Sequence, residues 1–328
     1  MGAYENIGGE MKALVTGCAG FIGSHLTDRL LELEYEVIGI DCFSDYYQRD
    51  LKEANIADAL NHQNFQLIEK DILECSEFPK VDYVFHQAAQ AGVRASWGKN
   101  FEIYTRNNIQ ATQKLLEYYK EIKIRRFVYA SSSSVYGESV DLPMKEISRV
   151  QPLSPYGVTK LAAEHLCHLY WVNYRVPTVS LRYFTVYGPR QRPDMGIHKF
   201  VKAVLNGDEI EVYGDGTQTR DFTFIDDIVQ AILLATQVPL ENVAGQAFNI
   251  GGGNQISVNE LINLIAEIAG KNAQVRYIEK QKGDVTDTRA DVAKAASILG
   301  WKAETNINEG LQHYFDYYNQ KIKKPIPF

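Results

Sequence analysis

Apolar and polar positions follow two rhythms along this chain. Lys12 to Gly17 (KALVTG) and Glu36 to Asp41 (EVIGID) are short, continuous apolar runs, the pattern of strands covered on both faces. Similar runs recur at 65–71, 81–88, 126–132 and 177–184. Between them apolar residues repeat at helical spacing, first at Ile22, Leu26, Leu30 and Leu33, then over 100–121 and 154–175. Strands alternating with helices predict a doubly wound α/β domain on a parallel sheet, over residues 11–185.

The texture changes after Phe184. Tyr187 to Asp194 (YGPRQRPD) is turn-rich and basic, and short helices and strands follow. Helical patterns at 257–269, 291–299 and 306–319 close the chain, the last with a Tyr-rich face (Tyr314, Tyr317, Tyr318). Residues 186–328 read as a smaller C-terminal α/β substrate domain packed tightly on the first, and the apolar run at 247–251 is expected to rejoin the main sheet. Residues 1–10 are polar and Gly-rich and are expected to form a disordered extension.

Composition narrows the function classes. A chain of 328 residues suits one large α/β unit or two closely joined domains. The formal net charge of −7, with no Lys/Arg run, argues against a nucleic-acid partner. The 4 cysteines are scattered without CxxC spacing, as in a reduced, cytoplasmic protein. No apolar run approaches the ~18 residues of a membrane span.

Two stretches carry chemistry. Gly17-Cys18-Ala19-Gly20-Phe21-Ile22-Gly23 joins the first strand to the first helix. Gly17 permits the tight turn, Gly20 a close phosphate, and Gly23 close helix–strand packing, while the helix N-terminus offers N–H groups to a pyrophosphate. Asp41, ending the second strand, suits a ribose 2′-hydroxyl and repels a 2′-phosphate, so the expected cofactor is NAD on a Rossmann-type sheet. The second stretch is Tyr156-Gly157-Val158-Thr159-Lys160, whose spacing puts the phenol and the ammonium on one helix face. A cation there is expected to lower the Tyr156 pKa and make it a general base. Glu164, His165 and His168 share that helix and read as a surface or dimer face, not a metal site. His25 reads as a packing or surface residue of the first helix.

Together these features resemble the extended short-chain dehydrogenase/reductase family. His86-Gln87-Ala88-Ala89, Ser131 to Gly137, Ser154 to Gly157 and Arg220-Asp221-Phe222 look like its sugar-nucleotide epimerases. Gln90 to Arg94, Phe184 to Met195, and Gly283-Asp284-Val285 with Thr288 resemble the UDP-glucuronate 4-epimerases among them. The resemblance implies Tyr156 as base, Lys160 as its partner and ribose ligand, and Ser132 as donor to the reacting sugar oxygen. It implies Phe21 and Ile22 at the cofactor, Asp71 and Ile72 by the adenine, and Ala88 and Ala89 by the pyrophosphate and nicotinamide ribose. Asn107 would be a structural polar group near the cofactor. On the UDP-sugar side it implies Arg94, Arg220 at the diphosphate, Tyr213 by the uracil and Asp284 by the uridine ribose. A homodimer through helices 100–121 and 154–175 is also implied.

Thr185 stands where the family's galactose-type members carry Asn, and Arg289 replaces an expected aromatic. Ser133, Ser134 and Val135 follow Ser132 where 4,6-dehydratases place an Asp-Glu pair and decarboxylases a Glu. Ser133, Ser134, Thr185 and Arg192 are expected to hold a uronate carboxylate by charge-assisted hydrogen bonds. The expected reaction is metal-free epimerisation at carbon 4 of a UDP-sugar through a 4-keto intermediate. UDP-glucuronate is the first candidate, and UDP-glucose or UDP-N-acetylglucosamine the alternative. Less favoured are a nucleotide-sugar decarboxylase and a non-catalytic NAD-binding regulator.

Overall fold

Alternate residues of the central apolar runs point into two different cores, so those runs are buried on both sides, while the run at 65–69 stays partly exposed at the sheet edge. The computed structural model, which describes residues 11–138 and 141–323, builds them into strands β1 (Lys12–Thr16), β2 (Glu36–Asp41), β3 (Phe65–Glu69), β4 (Tyr83–His86), β5 (Arg126–Ser132) and β6 (Thr178–Tyr183). The later strands are β7 (Val186–Tyr187), β8 (Glu209–Tyr213), β9 (Thr219–Phe224), β10 (Gln246–Ile250), β11 (Asn254–Ser257) and β12 (Gln274–Ile278). Leu14, Ile38, Val84 and Phe127 pack on one side with Leu115, Leu116, Ala163 and Cys167 of the helices Ala111–Tyr119 and Pro155–Tyr174. Ala13, Val15, Val37, Phe85 and Val128 pack on the other with Leu26 and Leu30 of Phe21–Glu32 and Ile228 and Ile232 of Ile225–Gln237. Burying one such aliphatic or aromatic side chain contributes about 1.5–3 kcal/mol.

The seven-stranded sheet runs β10-β6-β5-β4-β1-β2-β3, every pair parallel. Strand order reverses on either side of β1, which opens a crevice at the C-terminal strand ends, where ligands bind in doubly wound folds. Residues 246–250 form the edge strand beside β6. The chain after β6 adds the sheet β11-β9-β7 and the pair β12-β8. Asp221 in β9 is fully buried and accepts from the backbone N–H groups of Gly253 and Ala290, tying three segments together.

Some elements differ from the sequence pattern. Strand β3 stops at Glu69 because Asp71 caps a 3-10 turn, accepting from Leu73 N–H at 2.8 Å. The helix expected at 291–299 contracts to a π turn, Ala295–Leu299, ended by Gly300 at φ +66°. The stretch 100–121 is helical but contains a π segment, Thr105–Gln110, between Phe101–Tyr104 and Ala111–Tyr119. The extension expected at 1–10 lies outside the described residues. Among the described residues no helix is long and apolar enough to cross a membrane.

Candidate active site

The glycine turn after β1 is shaped by contacts that exclude side chains. Gly17 sits at φ +71°, and a Cβ there would lie 2.8 Å from Ala88 Cα. A Cβ on Gly23 would lie 2.0 Å from Gly17 O, so the helix Phe21–Glu32 starts directly against the turn. Its N-cap is Gly20, with no side-chain cap, which leaves the first N–H groups open toward the crevice. Asp41 takes the N–H of Ala19 (3.1 Å) on one carboxylate oxygen and that of Phe43 (2.8 Å) on the other. Burial raises its pKa and those bonds oppose the rise.

Every residue assigned above to the cofactor lines one cavity of about 230 Å³, which Gly17 and Asp41 share with Tyr156 and Lys160. The shape and chemistry fit a dinucleotide: a bare helix N-terminus, a glycine cradle and a carboxylate at the β2 end. The buried Gln87 amide nitrogen, on the wall, has no partner among the described residues. Asp71 lines the same cavity and pairs with Arg106 at 2.7 Å. Sequence reasoning missed Ser44, Tyr46 and Tyr47, from an irregular segment without periodicity, and Lys52, from the short helix Arg49–Asn55 that follows it. It also attached the structural role to Asn107. The π segment turns Asn107 to the cavity and buries Asn108, which bonds Gln90 N–H and C=O and the Thr159 hydroxyl.

The helix Pro155–Tyr174 is aimed by its first turn. Ser154 accepts from Gly157 N–H at 3.1 Å as N-cap, and Pro155 supplies the preset first residue. Tyr156 is thereby placed beside Ser132. The Ser132 hydroxyl oxygen accepts from Ser134 N–H at 3.1 Å, leaving its own proton for the Tyr156 oxygen. Burial raises the Tyr156 pKa, while the Ser132 bond and the Arg192 charge pull it down. The lowering was expected from Lys160. Lys160 instead donates to Ala130 O at 2.6 Å, and burial brings its own pKa down to about 7.

A second cavity of about 170 Å³ adjoins along the chain: Ser131 lines the first, Ser133 and Ser134 the second. Thr185, Arg220 and Asp284 share it with Ser154 and Thr288, which belong to the stretches that carry the family resemblance but had no ligand role assigned from the sequence. Arg220 donates to the carbonyls of Thr219, Thr286 and Val285, and burial lowers its pKa against the pull of Asp284 and Asp287. Arg94 pairs with Asp284 at 2.7 Å and lies 4.0 Å from the Tyr213 ring centroid, so these three meet at one rim. Arg192 lines the first cavity, whereas Ser133, Ser134 and Thr185 line the second, and it is held by Asp194.

The other candidates fall elsewhere. Glu164 is not on the surface as expected: it is buried against Arg182 at 2.5 Å and accepts from the Ser131 hydroxyl at 2.6 Å. His165 is exposed, and His168 is exposed with a bond to Gly245 O at 2.9 Å. Among the described residues no group of His, Cys, Asp and Glu is placed to hold a metal ion. His25 bonds Pro189 O at 2.9 Å, and burial with the nearby Arg190 lowers its pKa to about 4.

Residues 13–251 match the profile of the NAD dependent epimerase/dehydratase family. The chain is 44% identical over 311 residues to an uncharacterized UDP-glucose epimerase of Bacillus subtilis, covering 94% of this chain and 98% of that one. It is 39% identical to a UDP-glucuronate 4-epimerase of Thermodesulfobacterium geofontis, over 94% and 97% of the two chains. A crystal structure of the UDP-glucuronic acid 4-epimerase from Bacillus cereus, in complex with UDP-glucuronic acid and NAD, superposes with TM-score 0.92 at 45% identity, over 94% and 99% of the two chains.

Proposed function

The chain belongs to the NAD dependent epimerase/dehydratase family, and from that premise we propose that it inverts carbon 4 of a UDP-sugar, interconverting UDP-glucuronate and UDP-galacturonate. One observation carries the reading. Tyr156, hydrogen-bonded to Ser132, faces a dinucleotide-shaped cavity, while Ser133 and Ser134 line its neighbour and positions 133–135 carry no carboxylate. Residues 11–185 hold the cofactor, and residues 186–328 share the UDP-sugar contacts with them. The relatives' names, one a UDP-glucose epimerase and others UDP-glucuronate 4-epimerases, support the epimerase class more broadly than the uronate.

The chain's residues then divide the work. NAD, when bound, supplies the hydride acceptor and donor for carbon 4. The glycine turn and Asp41 hold it, and Lys160 reaches its ribose. Tyr156 as phenolate takes the proton of the sugar 4-hydroxyl and returns it after the 4-keto sugar has turned over. Ser132 donates to the same sugar oxygen. A 4-ketouronate is a β-keto acid and loses carbon dioxide when its carboxylate aligns with the carbonyl π system. Ser133, Ser134, Thr185 and Arg192 hold the carboxylate out of that alignment. Elimination would need an acid/base beside Ser132, and the chain has serines there.

The test is product analysis with UDP-glucuronate, UDP-glucose and UDP-N-acetylglucosamine. UDP-galacturonate should form fastest, and Arg192→Ala should lose far more uronate turnover than UDP-glucose turnover. Faster turnover of UDP-glucose by the wild type would return the substrate to the neutral type. The chain also reads as a cytoplasmic homodimer: its four cysteines are free, and apolar side chains stand exposed on Pro155–Tyr174.

A further inference from the structure

The arginine assigned to the sugar carboxylate already holds a carboxylate of its own. Arg192 Nε donates to Asp194 Oδ1 at 2.9 Å and Nη2 to Oδ2 at 3.1 Å, which fills the side-on edge of the guanidinium. Tyr46 OH donates to the same Oδ2 at 3.1 Å, and the guanidinium lies 5.8 Å from the Tyr46 ring centroid. Tyr46 comes from the segment after β2, and Arg192 and Asp194 from the loop after β7. The three join the cofactor side to the substrate side at the cavity that Tyr156 lines.

The loop behind this clasp is fixed by the first helix. His25 bonds Pro189 O at 2.9 Å, Asp28 pairs with Arg190 at 2.7 Å, and Gln191 N–H donates to Gly188 O at 3.1 Å. Arg192 therefore has a set position, and its partner is what a substrate can change. Its side chain is 21% exposed and that of Asp194 38%, so the anion is the member that water can receive more readily.

We propose that Asp194 is an internal counter-ion: it occupies the edge of Arg192 that a sugar carboxylate needs, and a UDP-uronate binds by displacing it. This rests on the uronate reading above. A neutral sugar leaves the Arg192–Asp194 pair intact, so no buried cation is stranded and neutral substrates are rejected less strictly. A uronate must compete with Asp194 and meets its like charge, so its affinity is held down. Asp194 acts through Arg192 as a positioning residue that sets discrimination between charged and neutral UDP-hexoses.

Asp194→Asn keeps the shape and one acceptor but removes the charge. KM is measured for UDP-glucuronate and UDP-glucose with the NAD-loaded full chain. Kd for each is measured by calorimetry in a Tyr156→Phe background, where turnover does not interfere. For UDP-glucuronate, KM and Kd should fall roughly two- to fivefold at unchanged kcat, the scale of a partly exposed ion pair. UDP-glucose should bind no better, and Asp194→Glu should keep the wild-type ratio. Tyr46→Phe, which removes one tether of Asp194, should shift UDP-glucuronate in the same direction by less. A higher KM for UDP-glucuronate in Asp194→Asn would mean that Asp194 orients Arg192 for substrate, overturning the proposal. Parallel changes on both substrates would overturn it as well, leaving a loop-shaping role. If wild type fails to prefer UDP-glucuronate, the uronate reading itself falls; if it does prefer it and Asp194→Asn does not tighten binding, the counter-ion alone falls.

Discussion

Tyr156 is harder to ionise than a tyrosine in water, because burial outweighs the Ser132 bond and the Arg192 charge. The four-residue spacing made Tyr156 and Lys160 legible in the sequence. Lys160's actual acceptor, Ala130 O, was not, because it lies on a strand 30 positions earlier. Tyr156→Phe removes only the proton-transfer group, so turnover should drop by about 10²–10⁴ while NAD and UDP-sugar affinities stay within a few-fold. Steady-state rates and calorimetry on one preparation check this, and near-normal turnover would exclude Tyr156 as base. His86 shows a second kind of residue constraint. Thr112 donates to Asn108 O, so its oxygen accepts from His86 Nε2–H, while Thr16 donates to Nδ1. The ring is thus neutral with a fixed tautomer, and complete burial lowers its pKa to about 3. Unfolding restores a pKa near 6.5, so its contribution to stability is intact above about pH 6.5 and drains away as pH falls toward 3. His86→Gln should be less stable at pH 7 by roughly 1–3 kcal/mol, through unpaired hydroxyls. Its denaturant midpoint should fall less than the wild type's between pH 6.5 and 4. Equal slopes would mean that other groups govern the acid limb.

At the scale of elements, the sequence disclosed what depends on local rhythm and concealed what depends on contacts. The strands of the main sheet were readable because a strand covered on both faces is a continuous apolar run. The Pro155–Tyr174 helix announced its start through Ser154 and Pro155. The π segment Thr105–Gln110 left no periodic trace, since a single wide turn shifts the register without changing residue types. That shift separates Asn107, on the cavity wall, from buried Asn108, and explains why the role was assigned one position off. Gly157 is the corresponding contact in the Pro155–Tyr174 helix: a Cβ there would sit 2.5 Å from Ser134 O and 2.9 Å from Pro152 Cβ. The helix can lie this close to the Ser132–Ser134 turn only with glycine. Gly157→Ala should push the helix start away from Ser132 and lengthen the Ser132–Tyr156 bond. A drop in kcat of about 10²-fold, with NAD still retained, is the expected outcome. Unaltered kcat would show that the turn moves with the helix.

At the scale of the whole molecule, the doubly wound core was legible and the joints of the second half were not. Strand β10 carries an apolar run beside β6, whereas Met144–Ala290 and Thr219–Asp287 are isolated bridges between distant segments with no local signature. The Arg182–Glu164 pair belongs to the same class. It fastens the Pro155–Tyr174 helix to β6 inside the core, although Glu164 by spacing alone resembles a surface residue. The opposite face of that helix bears the remaining whole-molecule prediction. Val158, Leu169 and Val172 are 47%, 51% and 48% exposed and share one helical face, and Phe101 and Ile103 stand exposed on the helical stretch packed beside it. Apolar side chains grouped this way mark an association surface. Two copies meeting through this helix pair would bury both stripes in an isologous four-helix contact. Leu169→Glu combined with Val172→Glu sets like charges across the two-fold axis. That variant should sediment as a monomer at concentrations where the wild type is a dimer. Its NAD content should persist, because the substituted face points away from the cofactor cavity. A wild type that is monomeric at tens of micromolar, or a double variant that still dimerises, would move the contact to another face.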